Sequence, residues 1–189
     1  SGGNNFKHLV ASDPRRYVLT NTDNSYVIKI ARHKDYTCAY EDEAKIYNAL
    51  GNNKNDVVKM YGSGKINDDL KLNINNEETV IQKTELNLND IIENAQYIIL
   101  ENTKDYEDFH DYINNLNSDE ITVKSTVEVQ VQKVLKVFHK IMETIKKYNN
   151  NLGFFHGDLH GHNVKVKVTD LEITVKLFAS TKPLNILVV

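Results

Sequence analysis

The sequence holds a single cysteine, Cys38, so no internal disulfide framework is open to it and nothing points to an oxidising compartment. Free cysteine behaves as a small apolar residue, which is the reading of Cys38 near the start of a helix. No apolar run approaches the roughly 18 residues that a membrane span needs. No charged n-region followed by an apolar h-region opens the chain, so no membrane partner is expected. An excess of one charge is lacking too: a net charge of −3 and a pI near 6.2 exert no global pull on nucleic acid or an anionic lipid surface. Any polyanion site would have to be local. These absences predict a cytoplasmic protein, or one in a host's cytoplasm if the source is a virus or parasite. The opening Ser1-Gly2-Gly3 reads as a tag remnant rather than as part of the fold.

What is present is ordinary for a globular protein. With 189 residues, 40% hydrophobic and 26% charged, the chain can build one solid domain or two small lobes, and not several independent cores. Asparagine is clustered at Asn52, Asn53 and Asn55, at Asn73, Asn75 and Asn76, at Asn114, Asn115 and Asn117, and at Asn149 to Asn151. Each cluster falls between periodic segments and is expected to be a loop. The same bias accompanies AT-rich coding DNA, as in parasites, amoebae and large viruses.

Short β-rich segments at 6–11, 17–21 and 25–31, separated by turn chemistry at Ser12-Asp13-Pro14 and Asn21-Thr22-Asp23-Asn24, predict an antiparallel meander. In the third, Lys29 falls on the face opposite its neighbours Ile28 and Ile30. A helix is expected over 36–50, with Ala39, Glu43, Ile46, Tyr47 and Leu50 on one stripe and Gly51 as the stop. That spacing puts Glu43 on the apolar side. Further strands are expected at 56–61, 70–74, 79–86 and 96–101. Past a change of character near 101–105, helices are expected at 106–116 and 125–148. In the second, Val127, Val131, Val134, Leu135, Phe138, Ile141, Met142 and Ile145 predict packing along its whole length. A break at Asn149 to Asn151, a loop, and strands at 164–168 and 173–178 complete the pattern.

The loop His156-Gly157-Asp158-Leu159-His160-Gly161-His162-Asn163 carries the most chemical information. Its Asp158 and Asn163, five positions apart, suit the alignment of a hydroxyl nucleophile and the holding of a metal beside it. Phosphoryl transfer also needs a group that clamps nucleotide phosphates and a partner that holds the clamp; a strand lysine and an acidic residue on the helix packed over it, Lys29 and Glu43, suit those roles. His156, His160 and His162 have a spacing at which imidazoles share a zinc, although no cysteine or further histidine cluster supplies the remaining ligands.

In these residues and their order the chain resembles the protein-kinase-like superfamily. Tyr26-Val27-Ile28-Lys29 is similar to its strand-three lysine motif, and Glu43 to its helix-C glutamate. Tyr97-Ile98-Ile99-Leu100-Glu101 is similar to the strand entering the hinge. The loop at 156–163 has the His-Gly-Asp-Leu-His form of small-molecule and atypical kinases. The resemblance runs from about residue 6 to about residue 181. It implies an α+β fold, with a small antiparallel N-lobe carrying one helix over 4–101 and a short, mainly helical C-lobe over 102–189. It also implies an ATP and Mg²⁺ requirement and transfer to a hydroxyl of a protein or small molecule. Lys29 would clamp phosphates, Glu43 hold Lys29, Asp158 orient or deprotonate the acceptor, and Asn163 bind the metal. Leu100 would be the gatekeeper, and Glu101 to Thr103 would offer backbone groups to adenine.

The departures are specific. Where the family has a glycine-rich phosphate loop, this chain has Ala11-Ser12-Asp13-Pro14-Arg15-Arg16. Backbone amides cannot approach a triphosphate there in the usual way; Arg15 and Arg16 form a solvated basic turn or touch phosphates as side chains. Where the family has its Asp-Phe-Gly metal carboxylate, this chain has Ala179, which cannot coordinate a hard cation. The C-lobe after Phe178 is short. The chain is therefore expected to be an impaired phosphotransferase or a pseudokinase that binds nucleotide or a protein partner.

Overall fold

A computed structural model describes residues 6–9, 16–31, 37–51, 55–66, 71–74, 76–81, 94–118, 124–152, 159–169 and 171–179. The fold is mixed α+β, with antiparallel pairing in every sheet and three α-helices. The chain forms two compact units, Ser1–Asn52 with Lys59–Asn102, and Asn53–Val58 with Thr103–Val189.

In the first unit, β1 (Phe6–Leu9), β2 (Arg16–Asn21) and β3 (Tyr26–Ala31) form the expected meander, extended through β7 (Gln96–Glu101) to β4 (Met60–Lys65). The β2–β3 turn is fixed by Asn21: its Oδ1 accepts from the Ser25 and Tyr26 amides at 3.0 and 3.1 Å, and its Nδ2 donates to Ser25 Oγ at 2.8 Å. Asn24 takes the left-handed conformation (φ 54) that asparagine tolerates better than most residues. One sheet face contributes Tyr17, Leu19, Ile28, Ile30, Tyr97 and Ile99 to a core completed by Ile66, Leu72, Ile74, Ile81 and Ala95. A two-stranded ribbon, β5 (Lys71–Ile74) with β6 (Glu77–Val80), supplies two of these. Helix α1 (Thr37–Leu50) buries Tyr40, Glu43, Ala44, Tyr47 and Leu50, and Gly51 ends it at φ 73 with its amide on the Tyr47 carbonyl.

Two strand expectations change here. The strand expected at 56–61 begins only at Met60, because Val58 donates to the Leu177 carbonyl and Leu177 donates to the Asp56 carbonyl, which commits 56–58 to the second unit. The strand expected at 79–86 is β6, which starts two residues earlier at Glu77 and ends at Val80; residues 82–90 lie outside the described residues.

The second unit has a three-stranded sheet in the order β10 (Ile173–Leu177), β9 (Val164–Val168), β8 (Glu107–Asp108), with helices α2 (Phe109–Ser118) and α3 (Lys124–Leu152). The helix expected from Tyr106 begins at Phe109, because Glu107 and Asp108 pair with Val166 and Lys165 of β9. Asn149 to Asn151 do not break α3 but lie inside it; the fully buried Tyr148 anchors the final turns, and asparagine's modest helix penalty is overridden by packing. Asn114, Asn115 and Asn117 are likewise helical, in α2.

Nor does α3 pack along its whole length. Val137, Ile141, Thr144 and Tyr148 are buried, whereas Val127, Val131, Leu135, Phe138 and Met142 are exposed. Length explains the exposed first part: 29 helical residues run roughly 43 Å, while the five-residue strands that support them, through Val164, Val166, Val175 and Leu177, span about 17 Å. Phe138 and Met142 are exposed for another reason, since they share turns with the buried Val137 and Ile141 but lie on a neighbouring face.

Candidate functional site

The residues singled out in the sequence fall into two groups, one in each unit. In the first unit, Lys29 lies on β3 between Val18 of β2 and Ile98 of β7. Ile28 and Ile30 are fully buried on the core face, and Lys29, on the other face, is about one-fifth exposed. Its Nζ is 3.9 Å from Glu43 Oε1, and the Glu43 side chain is 2% exposed. The period of two on the strand and of 3.6 on the helix brings these charges together as expected. Among the described residues, Glu43 Oε2 finds no hydrogen-bond partner. Burial pushes the Glu43 carboxyl above the usual carboxylate range, and Lys29, with Arg16 contributing less, pulls it back down. Arg16 thus acts on the pair electrostatically, and Arg15 lies outside the described residues.

Leu100 is buried on β7, opposite Val27 and Met60. At Glu101 and Asn102 the backbone amides are already engaged, donating to the Lys59 and Ser25 carbonyls at 2.8 and 3.1 Å, and Glu101 Oε2 accepts from the Lys59 amide at 3.2 Å. In the second unit, the buried Thr103 accepts from the Tyr106 amide at 2.9 Å.

Asp158 and His156 lie outside the described residues; the loop is described from Leu159 onward. Gly161 to Asn163 form a 3-10 turn leading into β9. Asn163 Nδ2 is 2.9 Å from His160 Nε2, and its carbonyl accepts from the Phe178 amide at 3.0 Å, fastening the turn to the residue after β10. His162 Nδ1 lies 3.7 Å from Asp108 Oδ2, its ring centroid is 4.6 Å from that of His110, and Asp108 Oδ1 takes an ion pair from Lys165 at 2.7 Å. A Cβ on Gly161 would sit 2.8 Å from His110 Cβ and 3.0 Å from its amide nitrogen, so only glycine fits this approach.

His110, Asp108 and Lys165 were not marked by the sequence. They lie 50 or so positions from the loop or in its flanking strand, and nothing local announces their meeting.

Among the described residues no three His, Cys, Asp or Glu side chains are placed to hold a metal ion, so the zinc alternative gains no support there. Magnesium needs an oxygen shell with one or two carboxylates beside phosphates and water. Ala179, in the place the resemblance gives to that carboxylate, is a buried methyl group. Among the described residues, position 179 therefore offers a magnesium ion no oxygen ligand, and of the expected ligands only Asn163 is described.

No family model matches this sequence, and no characterised protein matches it in sequence. Among solved structures it is similar to spectinomycin phosphotransferase, APH(9)-Ia, in complex with ADP and spectinomycin. The identity is 9%, the match covers 91% of this chain and 65% of that one, and the TM-score is 0.36. The chain thus spans less than two thirds of that protein's length. A likeness of this degree says nothing about chemistry. No helix among the described residues is long and apolar enough to cross a membrane.

Proposed function

We propose that this is a protein-kinase-like nucleotide-binding protein, with Lys29 as the phosphate clamp for ATP and Glu43 as its holder. The observation that carries the reading is the 3.9 Å Lys29–Glu43 pair: a partly exposed cation set over a carboxylate that is 2% exposed. A buried carboxylate is costly unless a partner or a function retains it. Nothing in core packing calls for one on the apolar face of α1, where an aliphatic side chain would serve. A lysine so held is a point charge suited to phosphate oxygens.

On this reading Asp158 aligns a hydroxyl acceptor for phosphoryl transfer, and the acceptor is a small molecule or a protein side chain. With alanine in place of a metal carboxylate at 179, more of the phosphate charge rests on Lys29, so transfer is impaired. One observation favours the second reading, a pseudokinase that binds nucleotide or a protein partner without turnover: the buried Ala179.

Thermal-shift titration with ATP, with and without magnesium, separates the two. Saturation to one hundred times the Kd should stabilise the protein by about 2.7 kcal/mol. γ-Phosphate transfer that requires magnesium and is lost in Asp158→Ala supports the enzyme. A shift without transfer to any acceptor supports the pseudokinase, and no shift with ATP under either condition contradicts both as nucleotide proteins.

A further inference from the structure

We infer that Gln96 is a positioning residue for the Lys29–Glu43 pair, fixing the register of α1 on β7. The inference rests on the reading of Lys29 as a phosphate clamp. Gln96 opens β7 and is 5% exposed, so its carboxamide must find partners inside the protein. Both of its ends meet one residue, Glu41, 55 positions away. Gln96 Oε1 accepts from the Glu41 backbone amide at 2.9 Å, and its Nε2 donates to Glu41 Oε2 at 3.1 Å. Glu41 is the fifth residue of α1, one past the four whose amides lack helical partners. The sheet thus ties the early part of the helix to β7 through polar groups.

This contact matters because it adds direction to the helix's grip. Tyr40, Ala44, Tyr47 and Leu50 bury one side of α1, and burial of apolar surface is itself non-directional. Gln96 and Glu41 themselves line an open cleft of about 270 Å³ with Tyr40, Ala44, Gly64, Lys65 and Tyr97, so on this flank α1 faces space rather than packed side chains. Glu43 follows Glu41 by two residues, and its 3.9 Å reach to Lys29 is at the limit of an ion pair. A small slide or rotation of α1 breaks it. The Gln96 carboxamide, bonded at both ends to Glu41, is a directional contact that resists this.

The test is the affinity of the full chain for ATP and for adenosine by calorimetry, because Lys29 acts on phosphates only. Gln96→Met, which keeps volume but loses both hydrogen bonds, should lower the ATP-over-adenosine ratio about tenfold while leaving adenosine binding unchanged. Gln96→Glu, which sets two carboxylates against each other, should do the same. Adding Glu41→Gln to it restores the side-chain hydrogen bond with donor and acceptor exchanged, while the backbone amide of residue 41 still donates to the carboxylate, and should restore the ratio. Glu41→Ala, at an exposed position, lowers the ratio too and keeps the test open if a Gln96 variant fails to fold. A wild-type ratio in these variants while Lys29→Ala loses it overturns the inference and leaves the nucleotide reading standing. No preference for ATP in the wild type, with no effect of Lys29→Ala, overturns the nucleotide reading and the inference with it.

Discussion

Glu43 concentrates the physical tension of the first unit in one side chain. Its side chain is 2% exposed, one oxygen finds no hydrogen bond among the described residues, and the other is 3.9 Å from a lysine. Burial raises its pKa, so the folded state binds a proton more tightly than the unfolded chain does. The stability this group contributes is therefore fully present below the unfolded value of about 4.3 and is lost as pH rises through the raised folded value. A long ion pair to a partly exposed lysine contributes little in return. Glu43→Gln should accordingly melt above the wild type at neutral pH, with the gap closing on acidification toward about pH 4; calorimetric melts across that range measure it. A variant less stable than wild type at neutral pH would show that the ion pair outweighs desolvation. Gly161 makes the opposite case, a residue defined by space. Gly161→Ala drives a methyl into the His110 backbone and should cost about 1–3 kcal/mol in denaturant unfolding.

Among the elements, α3 separates what periodicity reveals from what it does not. The spacing of its apolar residues announced a helix, and a helix is present, but periodicity does not say how far the supporting sheet extends. Ile141→Ala should cost about 2–5 kcal/mol, since Ile141 packs with Val164, Val166, Val175 and Leu177. Leu135→Lys, at a position 59% exposed, should change unfolding free energy by less than about 0.5 kcal/mol. Equal costs at the two positions would contradict the half-covered helix. Local signals were enough for Lys29 and Glu43, because strand and helix periods fix which side each takes. They failed at Asn149 to Asn151, where the buried Tyr148 outweighs local propensity, and at 56–58, whose backbone partner Leu177 is more than a hundred residues away. Gln96 and His110 were unreadable for the same reason: their partners, Glu41 and His162, are distant in sequence.

For the whole molecule, the chain is an α+β protein of two units, each with its own antiparallel sheet and core. Its first unit carries the Lys29–Glu43 pair and its second a loop with Asn163, while position 179, where the resemblance would put a carboxylate, is a buried alanine. The account stands on what Lys29 is for. The most direct measurement is the affinity of wild type and Lys29→Ala for ATP and for adenosine under the same conditions. Wild type should prefer ATP, and Lys29→Ala should erase that preference while binding adenosine as before. Equal affinity of the wild type for both ligands, or an ATP preference that survives Lys29→Ala, would contradict it.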